Sequence, residues 1–183
     1  MARYKDTAVE NPKGLALLVP GISYPCEMPQ LYFAKQVALA HGYNVREMAW
    51  DPGMEWEVDR VCAEVASVLE DNELPVLLMA KSIGTLSSVY AAENKLPAVW
   101  ITPMAKNSEV VAAIAVNPQP QFTFAGTKDQ YWDLDAPKSW PEHVKVLQLP
   151  GADHSTLIAG DPVRSAEIVA EYTRAMDSFV ASL

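Results

Sequence analysis

The 183-residue chain is short of several things at once. Two cysteines, Cys26 and Cys62, are too few for a disulfide framework. Cys62 falls on an apolar helical stripe and reads as core, whereas Cys26 sits in a loop. Fourteen basic residues face 23 acidic ones, a net charge of −9, and no basic stripe interrupts that balance. Binding to nucleic acid through phosphate neutralisation is thereby excluded. The longest apolar runs, such as residues 15–19 and 76–80, fall far below the roughly 20 residues that span a bilayer. The opening MARYKDTAVENPKG lacks the apolar segment of a signal peptide. These absences lead us to expect one cytoplasmic domain over residues 1–183, with no membrane or nucleic-acid partner. Its oligomeric state is not legible.

Glycine is scarce too, with 8 residues against 14 prolines. Their placement is informative, because Gly21, Gly53, Gly84, Gly126 and Gly151 lie at or just beyond the ends of short apolar runs. Six such runs read as strands: residues 15–19, 44–50, 75–80, 98–102, 121–125 and 144–149. Several are continuously apolar, the pattern of strands buried on both faces. Helical patterns fall between them at residues 29–41, 54–70, 83–95 and 108–115. A last helix begins after Asp161, with Pro162 in its first turn. Strict alternation of strand and helix predicts an α/β fold, a doubly wound, mostly parallel six-stranded sheet with helices on both faces. Ligands bind such sheets at the carboxyl ends of the strands, where the glycines and prolines cluster.

The third run enters its helix through Ala80-Lys81-Ser82-Ile83-Gly84. A sharp strand-to-helix turn needs small residues two before and two after the nucleophile, because backbone passes close on both sides. Ala80 and Gly84 meet that need and leave Ser82 at the helix N-terminus, where the N–H of Ile83 favours a developing oxyanion. Taken alone, the same pattern also describes a helix N-cap. No glycine-rich stretch precedes Lys81-Ser82, so a phosphate loop is excluded, and no GxGxxG follows the first strand.

A serine hydroxyl needs a base. Of the three histidines, His41 sits at a helix C-terminus and His143 at the opposite end of the sheet. His154, in LPGADHSTL, is placed on the loop at the carboxyl end. Its orienting acid is Asp129, just beyond the fifth strand, with Asp133, Asp135 and Asp51 as alternatives. After the first strand, VPGISYPCEMP offers the N–H of Ile22 as a second oxyanion donor, with Ser23 next in line.

The segments LLVPGISY, AKSIGTL, AGTKDQYWD and LPGADHSTL, in that order, make the chain resemble small capless α/β-hydrolases over nearly its whole length. The resemblance implies a serine-dependent acyl hydrolase of the carboxylesterase or thioesterase kind. Ser82 would be nucleophile, His154 base and then acid, and Asp129 orienter, with no cofactor and no metal. Two residues depart from the family pattern: Ala80 where glycine is usual, and Pro20 where many relatives carry histidine. Lids in this fold enter after the strand following the nucleophile, and ITPMAKN is too short for one. The expected partner is a small-molecule acyl substrate lying against Ser23, Tyr24, Met104, Tyr131 and Trp132, with Trp50 also on the rim. A non-catalytic binding or signalling protein on the same fold, and an acyltransferase, are the alternatives.

Overall fold

Residues 3–183 are described by the computed structural model. The chain begins with β1 (Arg3–Thr7), β2 (Gly14–Val19), α1 (Pro29–Ala40), β3 (Tyr43–Ala49) and α2 (Val58–Leu69). Then come β4 (Val76–Lys81), a 3₁₀ turn (Ser82–Ser87), α3 (Ser88–Glu93), β5 (Ala98–Ile101) and α4 (Ser108–Val116). It closes with β6 (Gln121–Gly126), a short 3₁₀ turn (Ala136–Ser139), β7 (Val144–Leu149) and α5 (Pro162–Ala181).

Period-two burial organises the sheet. In β2, Leu15, Leu17 and Val19 join one core, while Ala16 and Leu18 join the other. In β4, Leu78 and Ala80 divide from Leu77 and Met79 in the same way. Both faces of these strands are covered, which is why their sequences read as unbroken apolar runs. α1 and α5 cover one face, where Tyr172 stacks on Phe124 with ring centres 4.6 Å apart. Helices α2, α3 and α4 cover the other, around Trp100. Among the described residues no helix is long and apolar enough to cross a membrane.

The strand order is β1-β3-β2-β4-β5-β6-β7, parallel except for β1. From β2 the chain winds outward to β3, then returns past β2 to β4. The winding direction therefore changes between β2 and β4, and the crevice above their carboxyl ends is where such sheets bind ligands.

Four expectations need correction. The sheet has seven strands rather than six. β1 escaped notice because RYKDT is polar and mostly exposed, with no apolar alternation. It is held by Arg46 of β3, whose guanidinium forks onto both Asp6 carboxylate oxygens at 2.9 and 2.8 Å and lies over the Tyr4 ring at 3.9 Å. Second, α2 begins at Val58, not residue 54. Trp56 packs edge-on against Trp50, and Trp50 Nε1 donates to the Pro20 carbonyl, so tertiary contacts hold this segment outside the helix. Third, the expected helix over residues 83–95 opens as a 3₁₀ turn. The hydroxyls of Thr85 and Ser87 donate to the carbonyls of Ser82 and Gly84, three residues back, and tighten it. Fourth, Cys62 is only half-buried, while the loop residue Cys26 is buried.

Candidate active site

The site is built at the ends of β2, β4, β5, β6 and β7. Ser82 follows β4 directly with φ of 54°, in the left-handed region that a residue with a Cβ seldom adopts. Gly84 makes this turn possible, because a Cβ there would lie 2.8 Å from the carbonyl oxygens of both Val19 and Pro20. Three other residues with side chains have positive φ on the surrounding loops, Ser23 at 52°, Thr102 at 42° and Thr156 at 61°. Backbone strain of this kind concentrates at functional sites.

Asp129 lies in the turn after β6. Its side chain is fully buried, and Oδ1 accepts the N–H of Tyr131 at 2.8 Å. The loop after β7 approaches so closely that a Cβ on Gly126 would run into the Ala152 main chain. Thr127 and Lys128 donate their N–H groups to Leu149 and Ala152, lashing the two connections together. Within the second loop, Asp153 Oδ1 accepts the N–H groups of Ser155 and Leu157 and curls the chain around His154.

These constraints bring the three expected residues together. His154 Nδ1 lies 2.7 Å from Asp129 Oδ2, and His154 Nε2 lies 2.7 Å from Ser82 Oγ. With the imidazole proton on Nδ1, that nitrogen donates to the carboxylate and Nε2 accepts the serine hydroxyl proton. Asp133 caps a local turn through the N–H of Asp135, and Asp135 pairs with Lys138. Asp51 lies 3.8 Å from Arg3. His41 pairs with Asp177 at 2.8 Å, and His143 Nε2 is 2.9 Å from the Asn117 carbonyl.

A cavity of about 490 Å³ opens over Ser82 and His154. Ile22, Ser23, Tyr24, Ile83, Met104 and Tyr131 line it. The Tyr131 ring meets the His154 ring edge-on at 4.9 Å. Met104 is fixed through its N–H, which donates to Thr85 Oγ1, the hydroxyl that also holds the Ser82 carbonyl. The connection where a lid would enter covers only residues 102–107.

Trp132 and Trp50 are not part of this lining. Trp132 is buried in the core against Trp140, with ring centres 6.0 Å apart, because the turn after Asp129 directs it under the loop. Trp50 packs over α2 with Trp56. Cys26 is buried too, and that burial, aided by Glu47 and Glu27, pushes its thiol up to about 12, the opposite of an activated cysteine.

Two further lining residues, Ser155 and Lys81, were not anticipated. Lys81 is almost completely buried, and its Nζ donates to Thr102 Oγ1 at 2.6 Å and to the His154 main-chain carbonyl at 3.0 Å. Burial lowers its ammonium to about 7, against the opposing pull of Asp129 and Asp153. The sequence signal was slight: a lysine closing an apolar strand reads as a solvent contact. Among the described residues, no group of three or more His, Cys, Asp or Glu side chains is arranged to hold a metal ion.

No protein-family model matches the chain, and no curated protein matches it in sequence. Solved structures do match in fold. A serine hydrolase without a lid from Xanthomonas campestris superposes with a TM-score of 0.75 at 14% identity, over 98% of this chain and 88% of the other. Est1E from Butyrivibrio proteoclasticus, solved with ferulic acid bound, gives 0.76 at 10% identity over 99% and 94%. A monoacylglycerol lipase from Paleococcus ferrophilus gives 0.71 at 13% identity over 98% and 99%. The likeness is one of architecture: the chain has the α/β-hydrolase fold, in a small form without a lid.

Proposed function

We propose that this α/β-hydrolase-fold chain is a serine hydrolase that cleaves a small carboxylic ester or thioester through an acyl-enzyme on Ser82. The observation that carries the reading is one imidazole with a nitrogen 2.7 Å from the hydroxyl of a serine on left-handed backbone and its other nitrogen 2.7 Å from a fully buried carboxylate. Ser82 Oγ attacks the substrate carbonyl carbon while its proton passes to His154 Nε2. Asp129 holds the imidazole in the required tautomer and stabilises the imidazolium that forms. The main-chain N–H groups of Ile22 and Ile83, two of the residues that line the cavity, receive the oxyanion. Collapse breaks the bond to the leaving alcohol or thiol, which takes the proton from His154. Water then adds to the acyl carbon with His154 again as base, releasing the carboxylic acid and restoring Ser82.

The open, largely apolar cavity favours a short neutral or aromatic acyl group over a polyanion, consistent with the net charge of −9. The test is turnover of a p-nitrophenyl ester series from acetate to octanoate. Hydrolysis that is greatest at the short end and abolished in Ser82→Ala supports the reading. Undiminished hydrolysis in Ser82→Ala, or no turnover across the series, rejects it.

A further inference from the structure

Lys81 is a buried polar group that the proposed reaction leaves without a role. Lysine is almost never fully buried unless it is paired, and this one is 1% exposed. It immediately precedes Ser82. Its Nζ donates to Thr102 Oγ1 beyond β5 and to the His154 carbonyl beyond β7, and it lies 5.0 Å from the centre of the Tyr24 ring beyond β2. One amine thus joins four strand-end connections.

We infer that Lys81 is a positioning residue that fixes the His154 main chain against the nucleophile's own strand, an inference that rests on the serine-hydrolase reading. Other bonds curl the histidine loop locally, Asp153 accepting from Ser155 and Leu157, or tie its flanks to α1 and to the β6 connection, through Gln30 Nε2 to Thr156 at 3.2 Å and the Lys128 N–H to the Ala152 carbonyl. The bond from Lys81 runs instead to the residue whose imidazole must stay in register with Ser82. It originates one residue from that serine, so nucleophile and base move as a unit. Thr102, held at a φ of 42° despite its β-branch, presents the hydroxyl that takes a second amine hydrogen.

The groups facing the amine are the carboxylates of Asp129 and Asp153, the Tyr24 ring and the His154 main chain. Removing the amine therefore frees the His154 main chain to shift away from Ser82. A merely structural role would lower stability without slowing the chemistry of Ser82 in the folded enzyme.

The experiment measures the second-order rate of Ser82 phosphonylation by a fluorophosphonate probe and the kcat and KM for p-nitrophenyl acetate, alongside thermal unfolding. Wild type, Ser82→Ala, Lys81→Met and Thr102→Val are compared. Wild type should react and Ser82→Ala should not. Folded Lys81→Met should react about 10- to 100-fold more slowly, the equivalent of a lost charge-assisted hydrogen bond, and its loss on p-nitrophenyl acetate should fall on kcat rather than KM. Thr102→Val, which keeps the side-chain shape and removes one acceptor, should slow several-fold. A folded Lys81→Met with the wild-type rate, or with an unchanged kcat and only a raised KM, overturns the inference. If Lys81→Met does not fold, a wild-type rate in Thr102→Val overturns it. A wild type that does not react at Ser82 overturns the serine-hydrolase reading itself, which keeps the two failures distinct.

Discussion

Lys81→Met also makes a thermodynamic prediction that does not depend on catalysis. In the unfolded chain a lysine keeps its proton to about pH 10.4. Burial in the native protein holds the Lys81 ammonium down to about 7. The native value is the lower one, so between those values the unfolded state binds the extra proton and stability rises with pH. Below about pH 7 both states are protonated, the full cost of the buried charge is present and the slope vanishes. The limiting slope is about 1.4 kcal/mol per pH unit. Integrated from pH 7 to 9, where the native amine is first half and then almost wholly neutral, the gain is about 2 kcal/mol. Methionine fills nearly the same volume without titrating. Subtracting the unfolding free energy of Lys81→Met from that of wild type cancels the ionisable groups that do not interact with the amine, and the carboxylates of Asp129 and Asp153 that do are acids far from their titration range at pH 7 to 9 in the unfolded chain. Urea unfolding of both proteins at intervals from pH 6 to 9, extrapolated to water, supplies the difference. It should be flat below pH 7 and then climb in favour of wild type. A difference constant from pH 7 to 9 would refute the reasoning that this amine is neutralised by burial.

Three other perturbations have distinct outcomes. Asp129→Asn preserves a buried side chain of the same shape but presents an amide donor to His154 Nδ1; the ester kcat should fall by about 10³–10⁴, with far-ultraviolet circular dichroism unchanged. Gly126→Ala should destabilise the fold by about 3 kcal/mol or more in urea titration, because its Cβ would meet the Ala152 main chain rather than a side chain that can move aside. Cys26, buried and pushed up to about 12, should resist Ellman's reagent in the native protein at pH 8 and react only on unfolding.

How much the sequence discloses depends on whether a residue's role is local. The buried strands were legible because their two-faced burial leaves continuous apolar runs, as in residues 15–19 and 76–80. Ser82, Asp129 and His154 could be singled out because each follows a strand, and the scarcity of histidine left a single base at that end of the sheet. β1 was not legible, since it pairs with β3 through its main chain and through an arginine and an aspartate 40 positions apart, leaving no apolar pattern in its own residues. Trp132 read as a rim residue from its place beside Tyr131, yet the turn sends the two rings in opposite directions, one against His154 and one into the core. Lys81 was the largest omission. Nothing in its neighbours along the chain shows that Thr102 and the His154 carbonyl, 21 and 73 positions away, will close over its amine.

The central claim concerns one hydroxyl, and it is tested most directly by locating a covalent adduct. Wild-type protein treated with a fluorophosphonate at neutral pH, digested and sequenced by tandem mass spectrometry, should carry one phosphonyl group, on Ser82 and on none of the other serines, and His154→Ala should lose the modification. An adduct on a different residue, or an unmodified Ser82 peptide after prolonged exposure of folded protein, would contradict the account.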